Sequence, residues 1–240
     1  MKLLIWTRSF IVILFFFPLL TLTLSVLSIP YTILTGDRRL IEWCAWVWGK
    51  WTLKLFSIEL EVQGLNHIPQ KSCLFLFNHG SFVDIFALAS IVPKLKFGAK
   101  IELYKIPVFG TAMRAAGMLP IARSNREEVI RIYQQAKLRT DQGEQFALAP
   151  EGSRHSGHGI GQFKSGPFIF AIQCGIPIVP VVIRGAKEVW PKGAFVPCTQ
   201  SWSARLKVDF LVPISTIEYD LESRRELSDK VRELMIQNYS

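Results

Sequence analysis

The chain has 240 residues, of which 50% are hydrophobic and only 20% are charged. This composition excludes an intrinsically disordered chain, which lacks the apolar residues that a core requires, and four cysteines in 240 residues exclude a disulfide-held scaffold. The 28 Lys and Arg residues outnumber the 19 Asp and Glu residues, giving a net charge of +9. A basic chain suits a polyanionic partner, and the apolar excess favours an anionic membrane surface over nucleic acid.

The N-terminal segment is the most apolar part of the chain. No charged residue occurs between Arg8 and Asp37, and a helix over this run exceeds the roughly 20 residues that cross a bilayer. A secretory signal peptide is disfavoured because the run is too long and no Ala-x-Ala-like cleavage site follows it. A single spanning helix and a kinked, re-entrant segment both stay open, since Pro18 removes a hydrogen bond within the run.

A tryptophan-rich segment follows at residues 41–56. On a helix, one face would carry Ile41, Cys44, Ala45, Trp48, Trp51 and Leu55. Four tryptophans and two lysines in this segment are typical of a helix at a membrane interface, where indole rings lie at headgroup level. The alternative is an aromatic helix packed in the core. We predict that residues 1–60 form a membrane-embedded or interfacial helical element.

The rest of the chain alternates between two kinds of pattern. Apolar runs predict strands at residues 74–77, 146–150, 176–183 and 204–212, and three of these runs are nearly continuous, as in a sheet covered on both faces. Helical patterns lie at residues 84–91, 127–140 and 168–173, and a one-sided apolar pattern predicts a C-terminal helix around residues 227–235. Residues 61–240 are therefore predicted to form one α/β domain with a parallel or mixed sheet.

Polar residues follow the first of these strands, at residues 78–84 with the sequence Asn-His-Gly-Ser-Phe-Val-Asp. His79 and Asp84 can meet only if the chain turns between them, and Gly80 and Ser81 would supply that turn. A carboxylate on one imidazole nitrogen leaves the other nitrogen as a general base. The alternative is structural, because Ser81 and Asp84 also resemble a helix capping box.

A second polar cluster, Pro-Glu-Gly-Ser-Arg at residues 150–154, follows another apolar strand. Arg154 could present its planar guanidinium to phosphate oxygens; the alternative is a local ion pair with Glu151. Lys164 lies in a glycine-rich loop further on. The chain has neither a Walker P-loop nor a GxSxG nucleophile elbow. His155 and His158 form an isolated HxxH with no cysteine pair or acid at ligand spacing beside it, which argues against a metal site.

Four blocks in this order and spacing resemble the glycerolipid acyltransferases that carry an HxxxxD motif. Residues 78–84 are similar to the first block, residues 117–123 to the second, residues 150–154 to the third and residues 176–180 to the fourth. The segment at residues 100–110 is similar to the one that follows the first block in that family. The resemblance covers residues from about 60 to 212, and it implies an α/β acyltransferase domain behind an N-terminal membrane element.

The resemblance also implies roles for particular residues. His79 would be the catalytic base and Asp84 its partner. The substrate-binding set would comprise Lys100, Arg123, Glu151, Gly152, Ser153, Arg154 and Lys164. The cationic members of this set would hold the phosphate of the acceptor, and Glu151 would orient Arg154 or a glycerol hydroxyl.

The implied reaction moves a fatty acyl group to the sn-2 hydroxyl of 1-acyl-sn-glycerol-3-phosphate in phospholipid biosynthesis, at the cytoplasmic face of a bacterial inner membrane. The donor would be acyl-CoA or acyl-carrier protein, with no metal, no other cofactor and no nucleic acid. Two alternatives stay open: an acyltransferase for another lysophospholipid or polar lipid, and a catalytically silent membrane-binding protein.

Overall fold

The computed structural model describes residues 2–121, 126–155, 157, 159–197 and 200–239. Its first feature is a continuous helical rod of 34 residues, Lys2–Thr35, which is long and apolar enough to cross a membrane. The rod consists of α1 (Lys2–Ile11), a π-helical segment (Val12–Phe16) and α2 (Phe17–Thr35). The widened turns of the π segment lie just before Pro18, where the proline ring would otherwise clash with the preceding turn. The proline therefore does not end the helix.

Helix α3 (Arg39–Leu55) returns along the rod after a left-handed turn at Gly36 (φ 71°). Two interpretations of this segment were open, a helix at a membrane interface and a helix packed in the core, and its side chains differ in this respect. The Trp48 ring packs against Phe86 with ring centroids 4.7 Å apart and donates its Nε1–H to the Thr21 hydroxyl at 2.9 Å. Trp51, in contrast, is 49% exposed. The tryptophan-rich helix is thus core-packed on one side and open on the other.

Helix α4 (Val83–Ile91) packs closely on α3. Gly49 makes this possible, because a Cβ atom there would lie 2.9 Å from the carbonyl oxygen of Phe86. Small residues at such crossings let helix backbones approach one another. The long rod, α3 and α4 therefore form one helical layer against the sheet.

The sheet has seven strands in the order β1-β7-β6-β2-β5-β3-β4. All neighbouring strands are parallel except β6 and β7, which are antiparallel. The predicted α/β fold with a mixed sheet is confirmed. The strands are β1 (Ile58–Gln63), β2 (Leu74–Phe77), β3 (Lys96–Lys100), β4 (Leu119–Ile121), β5 (Phe146–Leu148), β6 (Ile178–Arg184) and β7 (Ala204–Phe210).

Three of these strands were not predicted from the sequence: β1, β3 and β4. They lie toward the two edges of the sheet, and only the central strands are buried on both faces and therefore continuously apolar. Strand β1 begins at Ile58 and so runs across the predicted boundary at residue 60. The division into 1–60 and 61–240 stays a prediction.

Side chains alternate across the central strands and divide the core into two clusters. Phe75 and Val181 face the layer of α3 and α4, whereas Leu74 and Val182 face the opposite side.

The helices after α4 are α5 (Phe109–Ala115), α6 (Arg126–Asp141), α7 (Gly166–Cys174), α8 (Ala186–Val189) and α9 (Arg224–Gln237). The apolar face predicted for the C-terminal helix packs in the second cluster through Leu227, Val231 and Met235. Because β2, β5 and β6 are parallel, the loops that follow them lie side by side at the carboxyl ends of the strands.

Candidate active site

The turn after β2 brings His79 to Asp84. His79 Nδ1 lies 3.0 Å from Asp84 Oδ2. The same carboxylate oxygen accepts the main-chain N–H groups of Gly80 and Ser81, each at 2.9 Å. Asp84, in the first turn of α4, therefore binds the imidazole and the two main-chain N–H groups that precede the helix through one carboxylate oxygen.

The orientation of the ring leaves one nitrogen available for chemistry. Asp84 is fully buried and faces Nδ1, whereas the His79 side chain is 17% exposed. A carboxylate that accepts from Nδ1–H keeps the lone pair on Nε2, the nitrogen that points away from it. The site therefore has an imidazole prepared to take a proton at Nε2.

Asn78 connects the ends of β2 and β6. Its Nδ2 donates to the Ile183 carbonyl at 2.8 Å, and its Oδ1 accepts the Ile183 N–H at 2.7 Å. Both bonds are buried. This pair of bonds joins the end of β2 to β6 at the residue before His79. The sequence analysis placed Asn78 in the motif without assigning it a role.

Glu151 supports the histidine from the neighbouring loop. Its Oε1 accepts the main-chain N–H of His79 at 2.9 Å, and its Oε2 accepts that of Gly161 at 2.9 Å. The proposed ion pair with Arg154, and the idea that Glu151 orients Arg154, are not what the described residues show. The physical reason is that the buried Glu151 carboxylate is directed at main-chain donors, whereas the Arg154 guanidinium lies over the ring of Phe82.

Arg154 instead lies over the ring of Phe82, with its guanidinium carbon 4.1 Å from the ring centroid. Phe82 is 48% exposed, so the guanidinium rests on the rim of the site. Gly152 has a φ of 73°, which explains why glycine turns the chain here. Ser153 is exposed at this turn. No carboxylate in the described part of the chain pairs with Arg154.

The other described cations of the predicted set, Lys100 and Lys164, have exposed side chains. Lys100 is exposed at the end of β3, two strands from β2 and hence about 10 Å from it across the sheet. Lys164 is also exposed, and its main-chain N–H donates to the Pro150 carbonyl at 2.8 Å. Arg123 lies outside the described residues. The structure thus brings Lys164 to the third block and places Lys100 along the same edge of the sheet.

Lys187 is a site residue that the sequence analysis missed. Its side chain crosses Gly80, where an added Cβ atom would lie 2.6 Å from Lys187 Cγ. Its ammonium donates to the carbonyls of Gly157 and Gly159 at 2.7 and 3.2 Å. The lysine therefore joins the glycine-rich loop to the turn between His79 and Asp84. It lies more than 100 residues from His79 along the chain, so no local pattern could have indicated it.

Fold and site together define an α/β protein in which a buried Asp holds a partly exposed His, beside cations that have no carboxylate partner among the described residues. The sequence model of the family described as Acyltransferase matches residues 59–184, which is more than half of the chain. The chain therefore belongs to the acyltransferase family, as its motifs predicted.

Its relatives carry more specific names. It is 30% identical to a 1-acyl-sn-glycerol-3-phosphate acyltransferase of Neisseria gonorrhoeae over 197 residues, which are 77% of this chain and 76% of the relative. It is 28% identical to a chloroplastic enzyme of the same name from Brassica napus over 177 residues, 72% of this chain and 51% of the relative. The chain thus spans about half the length of the chloroplast relatives that it matches.

One solved structure has the same fold. The crystal structure of PlsC, the 1-acyl-sn-glycerophosphate acyltransferase from Thermotoga maritima, superposes with a TM-score of 0.75. The match covers 99% of this chain and 94% of that chain at 22% identity. At this identity, the likeness shows the fold alone.

Proposed function

We propose that this protein transfers a fatty acyl group from an acyl thioester to the sn-2 hydroxyl of 1-acyl-sn-glycerol-3-phosphate, producing phosphatidate. The observation that carries the proposal is the 3.0 Å contact between His79 Nδ1 and buried Asp84 Oδ2 within a family of acyltransferases. The names of several relatives support the choice of acceptor.

The reaction needs one base and no metal, because a thioester is already an activated acyl group. His79 Nε2 takes the proton from the acceptor hydroxyl as its oxygen attacks the thioester carbonyl. Asp84 stabilises the resulting imidazolium through Nδ1–H. When the tetrahedral intermediate collapses, the carbon–sulfur bond breaks and the imidazolium returns its proton to the leaving thiolate.

The donors that stabilise the oxyanion must lie outside the catalytic turn. The main-chain N–H groups of Gly80 and Ser81 are donated to Asp84, and that of His79 is donated to Glu151. An N–H that already serves a carboxylate is a poor donor to a second negative oxygen. The turn therefore supplies the base and its orientation, and other groups supply the oxyanion site.

The acceptor phosphate would bind at the cationic rim of the site. Arg154 offers a planar set of donors that no carboxylate in the described chain occupies, and Lys164 and Lys100 lie along the same edge of the sheet. Arg123 completes the proposed set through the second sequence block. Holding the phosphate places the neighbouring hydroxyl near His79 and converts an encounter in solution into a positioned reaction.

The N-terminal rod would lie along the membrane surface and would not span the bilayer as a single helix. One face of the rod contacts the rest of the protein along most of its length. On this face Ile5 and Thr32 are buried, and Thr21 accepts a hydrogen bond from Trp48. The opposite face exposes a long apolar stripe that suits an interfacial helix. Its members include Leu3, Leu4, Ile11, Phe15, Leu19, Leu22, Val26, Leu27, Ile33 and Leu34. We place this surface on the cytoplasmic face of a bacterial inner membrane, where a net charge of +9 favours anionic lipid.

The test is acyl transfer by the purified full chain in vesicles, with acyl-CoA and acyl-carrier protein as separate donors. We expect phosphatidate from lysophosphatidate and much less product from lysophosphatidylcholine, because a phosphate diester carries less charge and more bulk. Equal turnover of the two acceptors would assign the chain to another lysophospholipid. No transfer to either acceptor with either donor, from folded protein, would contradict the proposed activity.

A further inference from the structure

Arg8 is the only charged residue between Lys2 and Asp37, and it is held in an unusual way. Its guanidinium lies 4.5 Å above the ring of Trp202 and donates to the Trp202 carbonyl and to the Ser57 hydroxyl. Its Nε–H is buried without a hydrogen-bond acceptor among the described residues. No carboxylate in that part of the chain forms an ion pair with it. A guanidinium that lines a cavity and has no carboxylate partner is suited to an anionic ligand.

An apolar cavity opens directly beside this guanidinium. It has a volume of about 380 Å³ and is lined by α1 and the π segment, with Trp202 across from them. The apolar lining consists of Leu4, Ile11, Val12 and Phe16, and Thr7 lies among them. The volume is within the range of ligand pockets. Because the cavity lies on the apolar rod, its natural occupant is a hydrocarbon chain.

A second, more polar cavity of about 510 Å³ lies on the other side of Ser57. Lys50 and Lys54 line it, and their ammonium groups lie over tryptophan rings at 4.1 and 4.7 Å. Its one acidic side chain, Glu59, faces Arg205 at 3.7 Å. Arg8, which lines the first cavity, donates to the hydroxyl of Ser57, which lines the second, at 3.3 Å. Together they offer an apolar compartment, a guanidinium at the junction and a basic compartment.

We propose that these two cavities form one binding site for an anionic phospholipid of the bilayer, separate from the catalytic site. The phosphate would contact Arg8, one acyl chain would occupy the apolar cavity, and the headgroup would lie toward Lys50 and Lys54. A free phosphate would leave the apolar cavity unused. A choline headgroup would bring a positive charge toward two lysines, so that an anionic lipid is favoured.

The test is lipid binding by the delipidated full chain, measured by native mass spectrometry in a neutral detergent during titration with phosphatidylglycerol. We expect Arg8→Gln to weaken binding about tenfold or more, since charge-assisted hydrogen bonds contribute that much. Arg39→Gln is the matched control, because it removes the same charge from an 89% exposed side chain of the same helical layer. It should bind as the original chain does.

Two further arms separate the site from its alternatives. Thr7→Trp fills the apolar cavity without removing Arg8 and should also weaken phosphatidylglycerol binding, whereas inorganic phosphate should not compete. Phosphatidylcholine should bind more weakly than phosphatidylglycerol. Equal loss in Arg8→Gln and Arg39→Gln would show only general charge attraction and overturn the proposal. Unchanged binding in folded Thr7→Trp, or effective competition by inorganic phosphate, would overturn it as well.

Discussion

The carboxylate of Glu151 accepts the main-chain N–H of His79 at 2.9 Å, so the acid of the third sequence block acts on the backbone of the first. Its second oxygen accepts Gly161 N–H at the same distance, which ties the glycine-rich loop to the turn that carries His79. Lys187 lies across Gly80 and donates to the carbonyls of the same loop, so that the turn at His79 is held from two sides.

His79→Ala should lower acyl transfer about 10²- to 10⁴-fold, because that is the usual contribution of a general base. Folding and vesicle binding should persist, since the imidazole is not part of the apolar core. The assay compares initial rates and thermal unfolding with those of His67→Ala, a histidine bonded to the Phe210 carbonyl away from the site. A rate close to the original in His79→Ala would exclude it as the base.

Asp84→Asn distinguishes a catalytic carboxylate from a helix cap. An amide can still accept the N–H bonds of Gly80 and Ser81, so that the loss of stability should be about 1 kcal/mol. It cannot stabilise an imidazolium, and kcat should therefore fall severely. Chemical unfolding and turnover are measured on the same preparation. Normal turnover with only this loss of stability would leave Asp84 as a cap.

Glu151→Gln should lower kcat with little change in the acceptor KM, because Glu151 positions His79 and contacts main-chain donors. In Gln, an NH2 group replaces one of the two carboxylate oxygens and faces a main-chain N–H, so that one hydrogen bond is lost. This loss should also lower the free energy of unfolding by about 1–3 kcal/mol. Glu188→Gln, an exposed acid on α8, is the matched control. A rise in acceptor KM with unchanged kcat would assign Glu151 to substrate binding instead.

Arg154→Lys should lower kcat/KM for lysophosphatidate about ten- to a hundredfold although the charge is kept, because lysine cannot copy bidentate bonds to phosphate. The donor KM should change little. The control is Arg205→Lys on β7, where the side chain is 65% exposed. If the ratio of kcat/KM for lysophosphatidate and lysophosphatidylcholine were the same in Arg154→Lys as in the original chain, the phosphate-binding role would be wrong.

The buried ion pair between Lys96 and Glu42 should hold α3 on the sheet. Lys96 Nζ lies 2.6 Å from Glu42 Oε1, and the lysine side chain is only 2% exposed. Glu42→Gln leaves this charge without its partner and should destabilise the fold by about 3–5 kcal/mol, whereas the double variant Glu42→Leu, Lys96→Met should recover most of the loss. Urea unfolding measures both. Equal stability of the single and double variants would contradict this role.

Burial also lowers the pKa of Lys96 below its ordinary value of 10.5, although Glu42 opposes the shift. The unfolded chain therefore binds more protons at this residue than the folded chain does between the lowered pKa and 10.5. The contribution of Lys96 to stability should accordingly rise with pH across that window. Lys96→Met should remove this rise, and unfolding experiments at several alkaline pH values measure the difference.

The sequence alone determined the elements that bury the most apolar surface. The central strands β2, β5 and β6 are continuous apolar runs because both faces are covered, and the one-sided pattern of α9 follows from its single buried face. The contact between His79 and Asp84 could also be predicted from the sequence. A glycine turn at the end of a strand leaves few ways to place two polar side chains. Strand β1 alternates strictly between apolar and polar residues over Ile58–Gln63, a strand pattern that the sequence analysis did not use. Strands β3 and β4 are short and have mixed patterns that local periodicity does not distinguish from loops.

Only the tertiary structure decided what the remaining site residues contact. Glu151 could have paired with Arg154 three residues away, yet it bonds the backbone of His79, 72 residues distant. Lys187 reaches the catalytic turn from a separate helix, and Arg8 meets Trp202 from the other end of the chain. The physical reason is that a charged side chain binds whatever donors, acceptors or rings the fold brings within a few ångströms. That proximity is set by strand order and loop path, which no local pattern of residues encodes.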